Sequence, residues 1–222
     1  MSIPFIDIHT HHPVYTEGII SISNLFLQDV DIQNVPNKYF SAAIHPWHAS
    51  DFTSLTVRTM LENLIMQPGL IAIGETGLDK VCKADYQQQK LIFELHFEFA
   101  EEYHKPLIIH AVKSWNDLIE YFKIAKVPLI LHGYSEGIVL TRQLINLGCN
   151  FSLGRSVLQI TPRFREAIQI IPLDSLFLET DDSPTTIIEI YQEVAAILDL
   201  PLEELKNQIY KNFNRLFRES KQ

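Results

Sequence analysis

Short apolar, β-rich runs recur along the whole chain, at 3–8, 19–25, 39–44, 70–74, 107–109, 129–131, 150–153 and 176–178. Several are apolar throughout instead of alternating, as strands covered on both faces must be, so they predict parallel strands. Amphipathic stretches separate the later ones. The longest, 84–104, carries Leu91, Phe93, Leu95, Phe97 and Phe99 with neither Gly nor Pro, and predicts a long helix. Further helices are predicted at 115–124, 137–147, 162–170, 185–198 and 202–217, the last started by Pro201. In Lys105-Pro106 and Val127-Pro128 the residue before proline is pushed out of the helical region, which ends one helix and launches the next strand.

The first third departs from this alternation. Segments 12–18 and 26–38 are too short or too interrupted by polar residues to be crossover helices. No internal repeat, low-complexity tract or Ser/Gly/Pro linker marks a boundary. The pattern therefore predicts a single α/β domain over 1–222, a (β/α)8 TIM-like barrel with truncated or missing helices near its N-terminal strands.

Composition narrows the function without naming it. With 46% hydrophobic and 20% charged residues the chain has material for a core and is too apolar for intrinsic disorder. Eighteen Lys and Arg against 27 Asp and Glu leave a net charge of −9, which argues against gripping long duplex DNA but leaves a nucleic-acid end open as a partner. Cys82 and Cys149 form neither a disulfide framework nor a CxxC knuckle, so a reducing cytoplasm is the simplest location. The N-terminus has no basic leader, and no apolar run approaches 18 residues, so neither a signal peptide nor a membrane span is expected, and a monomer is favoured.

In a barrel of this class the reactive side chains sit where strands end at the C-terminal face. The first strand ends in Asp7-Ile8-His9-Thr10-His11, and the two-residue period of a strand points His9 and His11 the same way. The third ends in Ile44-His45-Pro46-Trp47-His48, the fourth in Gly74-Glu75-Thr76-Gly77-Leu78-Asp79, the fifth in His110, the sixth in His132-Gly133 and the eighth in Glu179-Thr180-Asp181-Asp182. Only the second and seventh exits look quiet. Any one of these has a bland reading, such as a hydrogen-bonded core histidine or a salt-bridged carboxylate. Two histidines, a glutamate, two more histidines and an aspartate, His9, His11, Glu75, His110, His132 and Asp181, recur at equivalent positions on five different strands, which makes a shared ligand set the economical account. Four imidazoles and two carboxylates without a thiolate suit Zn²⁺, Mn²⁺ or similar borderline divalent ions, and the carboxylates leave Mg²⁺ or Ca²⁺ open. Six ligands exceed one tetrahedral site, whereas two ions roughly 3.5–4 Å apart, bridged by a carboxylate, would use them all.

In family order, Asp7-Ile8-His9-Thr10-His11, Ile44-His45-Pro46, Gly74-Glu75-Thr76-Gly77-Leu78-Asp79, Gln87-Gln88-Gln89 to Phe93, Pro106 to His110, His132-Gly133-Tyr134-Ser135, Glu179-Thr180-Asp181-Asp182-Ser183-Pro184 and Asn212 to Phe217 resemble the TatD family of metal-dependent hydrolases. The resemblance implies a TIM barrel in which His9, His11 and Asp181 hold one ion, His110 and His132 the other, and Glu75 bridges them. It implies one or two divalent ions as cofactor, with His45 and His48 lining the pocket, and Asp181 in preference to Asp182 as the ligand. The arginine of the family's His-Ser-Arg motif is replaced in His110-Ala111-Val112-Lys113, so Lys113 or Arg155 is the candidate phosphate contact, with Lys80 a further one.

The leading expectation is a divalent-metal-dependent hydrolase acting on ester bonds, most of all phosphodiesters at nucleic-acid ends or small phosphoesters, with Asp181 and Glu75 as catalytic carboxylates around a metal-activated water. Two alternatives stand beside it. One is a metal-dependent amidase or carboxyl esterase, since the same machinery attacks a carbonyl. The other is a degenerate barrel that binds without catalysis.

Overall fold

The computed structural model describes residues 3–30 and 39–217. Eight strands and seven α-helices follow in order: β1 Phe5–Thr10, β2 Ile19–Phe26, β3 Phe40–Ala43, α1 Ser54–Leu64, β4 Leu70–Asp79, α2 Tyr86–Tyr103, β5 Leu107–Val112, α3 Trp115–Phe122, β6 Leu129–Leu131, α4 Ile138–Asn146, β7 Asn150–Leu153, α5 Pro162–Ile170, β8 Leu176–Leu178, α6 Ile187–Leu198 and α7 Leu202–Phe217. The strands hydrogen-bond in chain order within one eight-stranded sheet. This is the expected α/β class. The expected thinning of the helices near the start is also present: no helix lies between β1 and β2, and after β2 the described chain holds only the 3-10 turn Leu27–Asp29. The rest of that connection, 31–38, lies outside the described residues.

By backbone proximity the chain groups into two compact units, Met1–Ser23 with Leu131–Gln222, and Asn24–Ile130. In the first, β1 pairs in parallel with the start of β2, Phe5 against Ile19 and Asp7 against Ser21, and β7 pairs with β8. Ile6, Ile8, Phe151, Phe177 and Phe213 fill its interior. The hydroxyl of Tyr191 on α6 accepts from the Ile6 N–H at 3.0 Å and donates to the Ile6 carbonyl at 3.1 Å, fixing helix against strand. On α7, Asn212 donates to the carbonyls of Leu173 and Leu176 and so holds the entry to β8.

In the second unit, β4 pairs in parallel with β3 and β5, and its register shifts between Ile73 and Thr76. Extra backbone at such a bulge re-aims side chains. Pairing then resumes with Gly77 against His110. Gly77 has φ +154, and a Cβ there would run into the His110 carbonyl oxygen, so only glycine allows β4 and β5 to lie this close. Helix α1 was not foreseen by the hydrophobic pattern. Thr53 caps it by accepting from the Thr56 N–H, and Val57, Leu61 and Leu64 form its buried stripe. Among the described residues, no helix is long and apolar enough to cross a membrane.

Candidate functional site

In the first unit, the β1 exit and the chain just after β8 are stitched together by backbone. Asp181 N–H donates to the His9 carbonyl at 2.9 Å, and His11 N–H donates to the Asp181 carbonyl at 3.1 Å. This bridge draws three side chains to one point. His9 Nε2 lies 3.5 Å and His11 Nε2 lies 3.8 Å from Asp181 Oδ1. Those spacings are longer than ordinary N–H···O bonds. They match the roughly 3.4 Å edge of a tetrahedron whose ligands stand about 2.1 Å from a central ion. Together with the hard-to-borderline donor set, that spacing fits a divalent cation. His9 is fully buried, while the Asp181 carboxylate is 43% exposed and open to water or substrate.

His132 belongs to the same unit. Its ring centre is 4.5 Å from that of His9, and its Nδ1 lies 3.4 Å from Glu179 Oε1. Glu179 is wholly buried and accepts the Gly133 N–H at 2.6 Å through Oε1. A carboxylate in that place steers an imidazole's ligand nitrogen. Asp182, the rejected neighbour of Asp181, pairs at the surface with His12 at 2.8 Å. Asp7 is buried beneath this layer and accepts both the N–H and the hydroxyl of Thr180, at 3.0 and 2.7 Å. Burial drives its carboxyl up to about 7, against the pull of those two bonds.

The second unit gathers His45, Glu75 and His110, with donor atoms within 4.8 Å of one another. Glu75 Oε1 stands 2.7 Å from His110 Nδ1 and 3.2 Å from His45 Nε2. Glu75 lies inside β4 at the register shift, not at the strand end that the sequence suggests, because pairing resumes beyond it. The two imidazoles are not equivalent. His45 Nδ1 accepts the Trp47 N–H at 3.2 Å, which places its own proton on Nε2, where it donates to Glu75. His45 thus steadies the carboxylate, while His110 offers Nδ1 beside it and turns Nε2 toward Asp79 Oδ2 at 3.7 Å. Burial works to raise the Asp79 carboxyl, but donors from Trp47, Val81 and Cys82 outweigh it and hold the group below its ordinary value.

The remaining sequence candidates are more dispersed. His48 is part-exposed, 3.7 Å from Asp51, with its ring 5.7 Å from that of Phe26. Lys113 and Arg155 are exposed, just after β5 and β7 respectively. Lys80 forms a 2.7 Å ion pair with Asp117, which Lys90 also meets at 2.7 Å. Sequence reasoning missed Asn24, on the supposedly quiet second strand. Its Oδ1 accepts the Glu75 N–H at 2.8 Å and the Ser41 hydroxyl at 3.1 Å. An amide beside Ser21 and Ser23 in the run 19–25 was the available signal.

A family model described as TatD related DNase matches residues 26–218. A Mycobacterium tuberculosis protein called an uncharacterized metal-dependent hydrolase TatD is 32% identical over 152 residues, which take in 64% of this chain and 57% of that protein. Human TATDN2, described as a 3'-5' RNA nuclease, is 27% identical over 197 residues, 78% of this chain and 26% of the nuclease. Among solved structures, YjjV, a TatD homologue from Escherichia coli K12, superposes with a TM-score of 0.84 at 20% identity, covering 98% of this chain and 99% of YjjV. That likeness shows the fold to be the (β/α)8 TIM-like barrel.

Proposed function

Since the chain belongs to the TatD family of metal-dependent hydrolases, we propose that it hydrolyses phosphodiester bonds at nucleic-acid ends with the help of divalent ions. The observation that carries this reading is the pair of histidine–carboxylate clusters, His9, His11 and Asp181 in one unit and His45, Glu75 and His110 in the other. His9, His11 and Asp181 would hold one ion. Glu75 and His110 would hold another, and His132 is the remaining candidate ligand. Zn²⁺, Mn²⁺ or Mg²⁺ held by these residues would supply a water of lowered pKa and positive charge for phosphoryl oxygens.

The chain's own groups do the rest. Asp181, half open to solvent, orients the attacking water and takes its proton. The Glu75 carboxylate is aimed by His45, and Asn24 Oδ1 accepts the Glu75 backbone N–H and fixes that stretch of β4. The TATDN2 description favours a nucleic acid over other phosphoesters, and the net charge of −9 favours a strand end over a long duplex. Lys113, Arg155 and His48 are the candidate phosphate contacts. A monomer in a reducing cytoplasm suits two thiols that form no disulfide, Cys149 being buried with its pKa pushed up to about 12.

The test is a panel run on chelator-stripped protein reloaded with one metal at a time. End-labelled DNA and RNA strands, an aryl phosphodiester, an aryl phosphomonoester and acyl ester and amide substrates are compared. Metal-restored shortening of the strands from an end is the expected result. Asp181→Asn is expected to abolish turnover with an unchanged circular dichroism spectrum. Faster turnover of acyl substrates would replace this reading with an amidase or esterase. Less than about one ion per chain together with no turnover would replace it with a non-catalytic barrel.

A further inference from the structure

The Trp47 ring holds no ion and moves no proton in the chemistry above, yet the residue is 57% exposed beside the second cluster. Its ring is held in place. The indole N–H donates to Asp79 Oδ2 at 2.8 Å, and the ring stands edge-on to His45 with centres 4.7 Å apart and 6.3 Å from His110. Asp79 is itself fixed by the N–H groups of Val81 and Cys82 and faces His110. One buried carboxylate therefore sets both a cluster imidazole and the plane of an exposed indole.

A large aromatic surface kept rigid and open to solvent loses little entropy when something flat is laid on it. Nucleobases stack on such rings whatever their sequence, because every base has a π-face. We propose that Trp47 is a substrate-binding residue on which the base next to the scissile phosphodiester stacks. This rests on the phosphodiesterase reading and deepens it. It also answers a difficulty that the charge raises. With a net −9, and with Lys80 engaged by Asp117, overall charge does not favour gripping a long backbone. Stacking adds a hold on the strand that does not depend on charge.

Trp47 and Trp115 are the two tryptophans of the chain, so a Trp115→Phe background isolates the emission of Trp47. Titration of this chelated protein with a short single strand is expected to quench that emission saturably. A strand of equal charge that is abasic at its ends is expected to quench it far less. On the metal-loaded enzyme, Trp47→Leu is expected to raise KM for the base-bearing strand roughly tenfold while sparing kcat, with Trp47→Phe recovering most of the loss. The loss on the abasic strand should be much smaller.

Equal losses on the two strands would mean that Trp47 acts only through Asp79 and His110, and the stacking role would be overturned. Cleavage by the parent, with no quenching and no effect of Trp47→Leu, overturns the stacking role and leaves the hydrolase reading intact. A parent that neither binds nor cleaves any nucleic acid overturns both.

Discussion

His96, on α2, sets a pH limit on the fold that is separable from the clusters. Its ring is completely buried between two backbone groups. Nδ1 is 2.7 Å from the Ile92 carbonyl and Nε2 is 3.1 Å from the Ile44 N–H. A carbonyl only accepts and an N–H only donates, so Nδ1 carries the proton and Nε2 is bare. Only the neutral imidazole satisfies both. Burial, opposed by the Ile92 bond, drives its pKa down from 6.5 to about 4. The unfolded chain takes up this proton near pH 6.5, whereas the folded chain resists until about pH 4. The contribution is therefore complete above pH 6.5, falls as the pH drops through this window, and levels off below it.

At about 1.4 kcal/mol per tenfold change in proton affinity, the gap from 6.5 to about 4 is worth about 3 kcal/mol. Urea unfolding of the parent and of His96→Gln, from pH 7.5 to pH 4, checks it. All other titrating groups are common to both proteins, so they cancel in the difference. The parent is expected to lose about 3 kcal/mol relative to the variant across that range. Where the variant fails to fold, the ring resonances of His96 in the parent should stay those of a neutral imidazole at pH 5. A stability gap that stays flat or widens toward acid, or a ring that titrates near pH 6.5, would refute the argument.

Gly77→Ala should cost more than about 1 kcal/mol, because a Cβ meets the His110 carbonyl on a backbone that side chains rarely adopt; thermal unfolding measures it. Asn24→Ala takes the acceptor from the Glu75 N–H and the Ser41 hydroxyl in a buried place, and is expected to cost about 1–3 kcal/mol in urea unfolding. Glu179→Gln keeps the volume but removes the charge facing His132 and Gly133, and should weaken divalent-ion affinity by roughly 10- to 100-fold in a competition titration with a metal indicator.

The parts of the fold legible in the sequence are those whose burial is decided locally. The predicted strands at 129–131, 150–153 and 176–178 coincide with β6, β7 and β8, and 162–170 and 202–217 coincide with α5 and α7. Each is a compact apolar or amphipathic run with clear punctuation. β4 is misjudged for the opposite reason. Gly74 and Gly77 look like strand breakers on their own, but each occupies a place where β5 backbone leaves no room for a side chain. The strand therefore runs on to Asp79, and Glu75 falls within it. The buried stripe of α1, Val57, Leu61 and Leu64, has helical spacing, but it is short and flanked by polar residues, so its period is faint.

The candidate ligands are legible because a histidine or carboxylate at the end of an apolar strand has few cheap explanations. The groups that aim them have no such local mark. Asn24 reaches the Glu75 amide across 51 positions of sequence, and Glu179 reaches that of Gly133 across 46. Asp7 holds Thr180 across 173 positions. In each case a buried acceptor on one segment takes a backbone N–H from another, at or next to a candidate ligand. Such an acceptor gains nothing for its own segment, and is tolerated in the interior because the distant donor satisfies it. Its meaning lies in a pairing that exists only after folding. Spacing along the chain therefore exposes the residues that would touch a metal ion, and hides the layer that decides where those residues point.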